Sequence, residues 1–164
     1  MDMREKLQIV GLYMSMHETP PINVVGLANR LGIKVYEADW PSTISGKIQK
    51  DREKGGHSGF AIFVNKSHSR NRRRFTIAHE VAHFVLHEDL IGDGVFDDAL
   101  YRSGLPNKIE QQANGLAADI LMPYQIVQAN LDMSIDALAD MFDVSTAAIT
   151  ARLSTVSSAG SFVS

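Results

Sequence analysis

Five consecutive residues, His79-Glu80-Val81-Ala82-His83, carry the sharpest chemical signal in the chain. On a helix, positions i and i+4 share one face, so two imidazoles at this spacing can reach one ion. Glu80 is turned about 100° from His79. It is therefore poorly placed as a ligand on the same axis and well placed to touch a water held at that ion. Two neutral nitrogen ligands beside one general base are what metal-assisted hydrolysis requires. The bland alternative is a helix with two surface histidines and an ordinary glutamate. Its neighbours oppose that: Phe75, Ile77, Ala78, Val81, Ala82, Phe84 and Val85 make most of this segment apolar, hence buried. Buried histidines need partners.

A catalytic zinc usually takes three protein ligands plus water. His87 follows His83 by one helical turn, but it stands eight residues from His79. That is a rise of about 12 Å along a straight helix, too far for both side chains to converge while leaning toward the N-terminus. The expected role of His87 is that of a helix C-terminal residue, favourable against the dipole. The candidates for the third ligand are Asp89, Asp93, Asp97, Asp98 and Glu110. The aspartates lie in a glycine-bearing stretch, whereas Glu110 opens a firm helical pattern, and rigid elements position ligands better than loops. Glu110, Asn114, Ala117 and Leu121 share one face of that pattern, with Ala113 at its edge. Small residues there let the two helices approach closely. Asn114, one turn after Glu110, is the candidate to hold a ligand from behind.

The elements that must position these groups are legible from periodicity and punctuation. Helical patterns cover residues 3–16 and 22–31, the first ended by Pro20-Pro21 and the second by Gly32. Short β-type runs follow at 33–36, 44–48 and 60–64, broken by glycines. Residues 69–87 return to helix, 89–107 read as loop, and 108–121 form an alanine-rich helix ended at Met122-Pro123. Two short helices follow at about 134–141 and 145–153, with Ser134 and Ser145 as N-caps. The expected fold class is α+β: a small antiparallel sheet of about three strands packed on a helical bundle, zincin-like, with the metal between two helices. The expected domain is single, 1–155, with a helical hairpin at 123–155 packed on it and a flexible tail at 156–164.

Composition narrows the classes further. The chain has 164 residues, 45% of them hydrophobic and 21% charged, which suits one soluble domain with a real core. A formal net charge of −3 disfavours a globally basic nucleic-acid binder. No cysteine is present, so thiolate zinc fingers, iron–sulfur sites and cysteine nucleophiles are excluded. The longest apolar run, Phe60 to Val64, is far below the roughly 20 residues of a membrane span. Asp2 and Glu5 precede the first apolar patch, where a signal peptide carries positive charge. The expected location is the cytoplasm.

With these residues assembled, a resemblance emerges. The run from Arg72 to His83, the later Glu110 to Asn114, and Ala117 through Pro123 resemble the ImmA/IrrE family of zinc metallopeptidase-like proteins. Leu27-Ala28, Leu31 to Val35 and Ile44-Ser45-Gly46 resemble that family's opening, so the likeness spans most of residues 20–155. One departure is Ala82, where many members carry glycine; both are small. The resemblance implies a zinc site of His79, His83 and Glu110, with Glu80 as base. It also implies a protein substrate, such as the helix-turn-helix repressor or antitoxin of a phage, mobile element or toxin–antitoxin locus. The competing expectation is a zinc-containing regulatory or toxin-like protein that acts on such a partner by binding alone.

Three further features invite a role. Lys66, Arg70, Arg72, Arg73 and Arg74 concentrate positive charge at a helix N-terminus, which the dipole opposes. The expectation is pairing with Asp89, Asp93, Asp97 and Asp98. Arg72 is the exception, because it falls on the His79/His83 face and becomes a substrate candidate. Residues 138–148 resemble a helix-turn-helix, but the second helix offers only Arg152, so direct nucleic-acid contact is not expected. Tyr101, Arg102 and Tyr124 are candidates to stabilise an oxyanion.

Overall fold

The structure is a computed structural model that describes residues 1–91, 95–98 and 105–161. Seven helices and four strands occupy them: α1 (Met3–Met16), α2 (Val24–Arg30), β1 (Ile33–Ala38), β2 (Ile44–Lys50), β3 (Phe60–Asn65), α3 (Arg70–Ile91), β4 (Val95–Asp98), α4 (Asn107–Leu121), α5 (Tyr124–Gln128), α6 (Ile135–Phe142) and α7 (Thr146–Ser161). The class is α+β. Local sequence starts the helices. Asp2 and Glu5 close a capping box on α1, with hydrogen bonds of 2.8 and 2.9 Å. Asn23 caps α2, Ser134 caps α6, and Ser145 accepts the Ala148 N–H at the start of α7. Gly32, at φ +84°, follows α2 and turns the chain into β1.

The sheet differs from the antiparallel expectation. Its order is β1-β3-β2-β4. β2 pairs antiparallel with β3 and with β4, but β1 pairs parallel with β3, Ile33 opposite Phe60. Strand periodicity reports which residues face the core, not which strand lies alongside. β4 lies within the stretch read as loop, too short to show alternation. β3 becomes a central strand, and its Phe60, Ala61, Ile62 and Val64 are all buried.

α3 lies against β2 and β3 and packs along α4. Its contact with β2 is close: a methyl group on Gly46 would collide with the Thr76 Cγ2. Ala78 and Ala82 of α3 and Ala113 and Ala117 of α4 are fully buried, and such small side chains permit close helix approach. α3 extends to Ile91, beyond the expected end, and carries a break at His87, whose φ of −134° and ψ of 32° are not helical. At this break the Phe84 carbonyl accepts a hydrogen bond of 3.0 Å from the buried Lys6 ammonium, which also pairs with Glu88 at 3.1 Å. α7 likewise runs past the expected end, through Val156 to Ser161. Among the described residues, no helix is long and apolar enough to cross a membrane.

Candidate metal centre

α3 presents His79 and His83 to α4, and α4 returns Glu110 from its first turn. His79 Nε2 stands 3.2 Å from Glu110 Oε2, and His83 Nε2 stands 3.1 Å from Glu110 Oε1. Taking one ligand atom from each residue, the three lie within 4.8 Å of one another, the only such cluster among the described residues. His79, Glu80 and His83 are fully buried and Glu110 is 7% exposed.

The far side of each imidazole fixes its tautomer. His79 Nδ1 lies 2.7 Å from Asn114 Oδ1. An amide oxygen only accepts, so Nδ1 carries the hydrogen and Nε2 the lone pair. His83 Nδ1 lies 3.1 Å from His87 Nδ1, and His87 Nε2 lies 2.8 Å from Gln112 Oε1. Gln112 Oε1 accepts from His87 Nε2–H, which leaves His87 Nδ1 to accept from His83 Nδ1–H. Burial holds His87 below the ordinary imidazole range, against the opposing hydrogen bond to Gln112, consistent with this neutral form. Both ligand imidazoles thus aim a lone pair at the Glu110 carboxylate. Lone pairs facing a carboxylate repel unless a cation lies among them. Atoms about 2.0–2.1 Å from a tetrahedral ion stand about 3.3 Å apart, close to the two separations found. The donor set therefore fits a divalent cation.

The chain matches the profile of peptidase M78, described as the IrrE N-terminal-like domain, over residues 28–154. It belongs to that family. The IrrE N-terminal-like family is one of metallopeptidases, which agrees with a His-His-Glu metal centre. One curated relative is the radiation response metalloprotease IrrE of Deinococcus radiodurans, 37% identical over 73 residues. That match covers 43% of this chain and 22% of the relative. Among solved structures, a Mycobacterium tuberculosis transcriptional regulator superposes with a TM-score of 0.60 at 20% identity. It covers 91% of this chain and 46% of that one, and shows a shared fold.

The other sequence candidates fall in different places. Arg72 lies with Phe75 in the wall of a cavity beside the site. Tyr101 and Arg102, with Asp93, lie outside the described residues, and of Asp97 and Asp98 only the backbone, in β4, is described. Asp89 is exposed on the last turns of α3. Tyr124 opens α5 and lines a separate cavity of about 740 Å³ against the end of α1. Among the described residues, four of the five cations of the basic run have other acidic partners: Lys66 pairs with Asp39, Arg73 with Glu37, and Arg70 and Arg74 with Asp143. Sequence proximity suggested Asp89 to Asp98; the fold instead delivers Asp143, at the αL cap of α6. Arg152, the basic residue of α7, is turned inward, bonding the Met122 carbonyl and Asp119.

His87 is the residue that sequence reasoning misplaced. It is not a terminal residue against the dipole; it is buried behind His83. Its four-residue spacing from His83 was the available signal.

Proposed function

We propose that this protein is a zinc-dependent metallopeptidase that cleaves a specific protein partner, a helix-turn-helix repressor or antitoxin. The observation that carries the reading is the convergence of His79, His83 and Glu110 with their lone pairs aimed at one point, beside a buried Glu80. Two imidazoles with one carboxylate favour zinc over harder ions. Bound zinc would supply Lewis acidity toward the scissile carbonyl and the attacking water. Glu80 takes the proton of that water and delivers it to the leaving amine. Asn114 and His87 hold the imidazoles in the ligating tautomer. The metallopeptidase family supports hydrolysis; the ImmA/IrrE resemblance supports a repressor as substrate, and with it a cytoplasmic setting.

The test is coexpression with a candidate helix-turn-helix repressor taken from the neighbourhood of the gene for this chain. Wild type yields repressor fragments, and Glu80→Gln yields none while keeping its zinc. Fragments that persist with Glu80→Gln would overturn the mechanism. An intact repressor complex, equal in both proteins, would favour regulation by binding alone.

A further inference from the structure

A cavity of about 380 Å³ lies one helical turn before the metal centre, on the Phe75 side of His79. It opens between the N-terminal half of α3 and the turn joining α6 to α7. Phe75, Val144 and Ala148 supply its apolar surface, and Ser69, Ser145 and Arg72 its polar groups. Phe75 is the shared wall: its ring stacks on His79, with centroids 6.2 Å apart.

We infer that this cavity receives one apolar side chain of the substrate polypeptide, of leucine, methionine or phenylalanine size, at or one residue beyond the scissile bond. The inference rests on the proteolytic reading above. An extended peptide advances about 3.3 Å per residue and turns alternate side chains to one face. A peptide whose scissile carbonyl meets the metal at His79 therefore brings a side chain over Phe75 within one or two residues. The apolar surface selects a side chain that gains by leaving water.

The cavity is built rather than incidental. Its outer wall, Val144 to Ala148, begins at Asp143, which sits in the left-handed region at φ 57°. Arg70 and Arg74 both bind the Asp143 carboxylate, and Asn71, its amide turned to donate, reaches Asp143 Oδ1 at 3.0 Å. Arg74 also donates to the Ile22 carbonyl at 2.9 Å, tying the same turn to the start of α2. Two of the cations that the helix dipole disfavours, Arg70 and Arg74, are explained by this clamp. It holds the α6–α7 turn at a fixed distance from α3, so the pocket is preformed.

The test uses zinc-loaded protein and hydroxamate probes in which glycine, leucine or glutamate stands next to the metal-binding group or one residue beyond it. Calorimetry reads their affinities. The leucine probe is expected to bind about ten- to one-hundredfold tighter than the glycine probe at one of the two positions. Ala148→Phe, which fills the cavity, is expected to abolish that preference while the glycine probe binds as before. Should Ala148→Phe fail to fold, Ala148→Leu carries the same comparison. Equal binding of glycine and leucine at both positions, a preference that survives Ala148→Phe, stronger binding of the glutamate probe, or no probe binding at all overturns the assignment. Repressor cleavage is read separately: cleavage without side-chain preference removes the cavity alone, and preference without Glu80-dependent cleavage removes the proteolytic reading.

Discussion

His87 Nδ1 faces His83 Nδ1 at 3.1 Å across a break in their common helix. The four-residue spacing puts the two rings on one face of α3, and Gln112 fixes which His87 nitrogen accepts.

His87→Ala is expected to weaken zinc binding by about 10- to 100-fold, the usual consequence of losing a partner behind a metal ligand. His87→Gln, whose amide oxygen can accept from His83, is expected to recover part of that loss. Competitive zinc titration against a chromophoric chelator measures both. Equal affinity of His87→Ala and wild type would mean that His83 needs no such support.

Glu110→Ala removes the only anionic ligand and leaves two neutral imidazoles. The loss of affinity is expected to exceed that of His87→Ala, and Glu80→Gln is expected to lose none. The same titration ranks the three. A Glu110→Ala protein that still binds zinc like wild type would place the third ligand elsewhere.

On the proposed zinc site, removing the ion from the folded chain is expected to lower stability by mass action. At free zinc about 100-fold above the dissociation constant the difference is about 2.7 kcal/mol. A dialysed sample, scanned calorimetrically with and without zinc, is expected to melt several degrees lower without it. In Glu110→Ala the two scans should nearly coincide.

Asp143 does two jobs, and two substitutions separate them. Asp143→Asn tolerates the left-handed backbone but loses the charge facing Arg70 and Arg74. Asp143→Ala loses the charge and adds a backbone cost of about 1–2 kcal/mol. Urea denaturation is expected to show Asp143→Ala as the less stable variant by about that margin. If both lose equally, the αL conformation is not held by this residue.

Gly46→Ala places a methyl group against Thr76 Cγ2, with Glu80 Cγ 3.9 Å away. Overpacking of this kind costs about 1–3 kcal/mol. The double variant Gly46→Ala/Thr76→Ser removes the opposing methyl and is expected to recover part of the loss, the Phe63 carbonyl oxygen remaining 3.1 Å from the added carbon. Additive losses in that cycle would show that the two positions do not meet.

The division between what could be read and what could not follows from physical range. The His79/His83 face and the place of Glu110 in the first turn of α4 are local facts of helical periodicity, and the helix and strand runs are too. The parallel pairing of β1 with β3 is not local, and nothing in the alternation at 33–36 names its neighbour. The four residues of β4 pair through their backbone with β2, which leaves no composition signal in a glycine-bearing stretch. The error at His87 came from weighing it only as a ligand: the rise of about 12 Å from His79 excludes shared ligation, as found, but does not address the one-turn contact with His83. The partners of the basic run were assigned to nearby aspartates, whereas Asp143 reaches Arg70 and Arg74 only through folding of the C-terminal hairpin.

The parallel pairing of Ile33–Ala38 with Phe60–Asn65 has a consequence for biosynthesis. The ribosome releases β1 first, yet the strand that must lie beside it emerges third, after β2. The hairpin of β2 and β3 can zip as soon as it clears the exit tunnel, whereas β1 has to wait and then dock on its free edge. Closure of that longer loop is the slower event, so the nascent sheet grows outward from its middle.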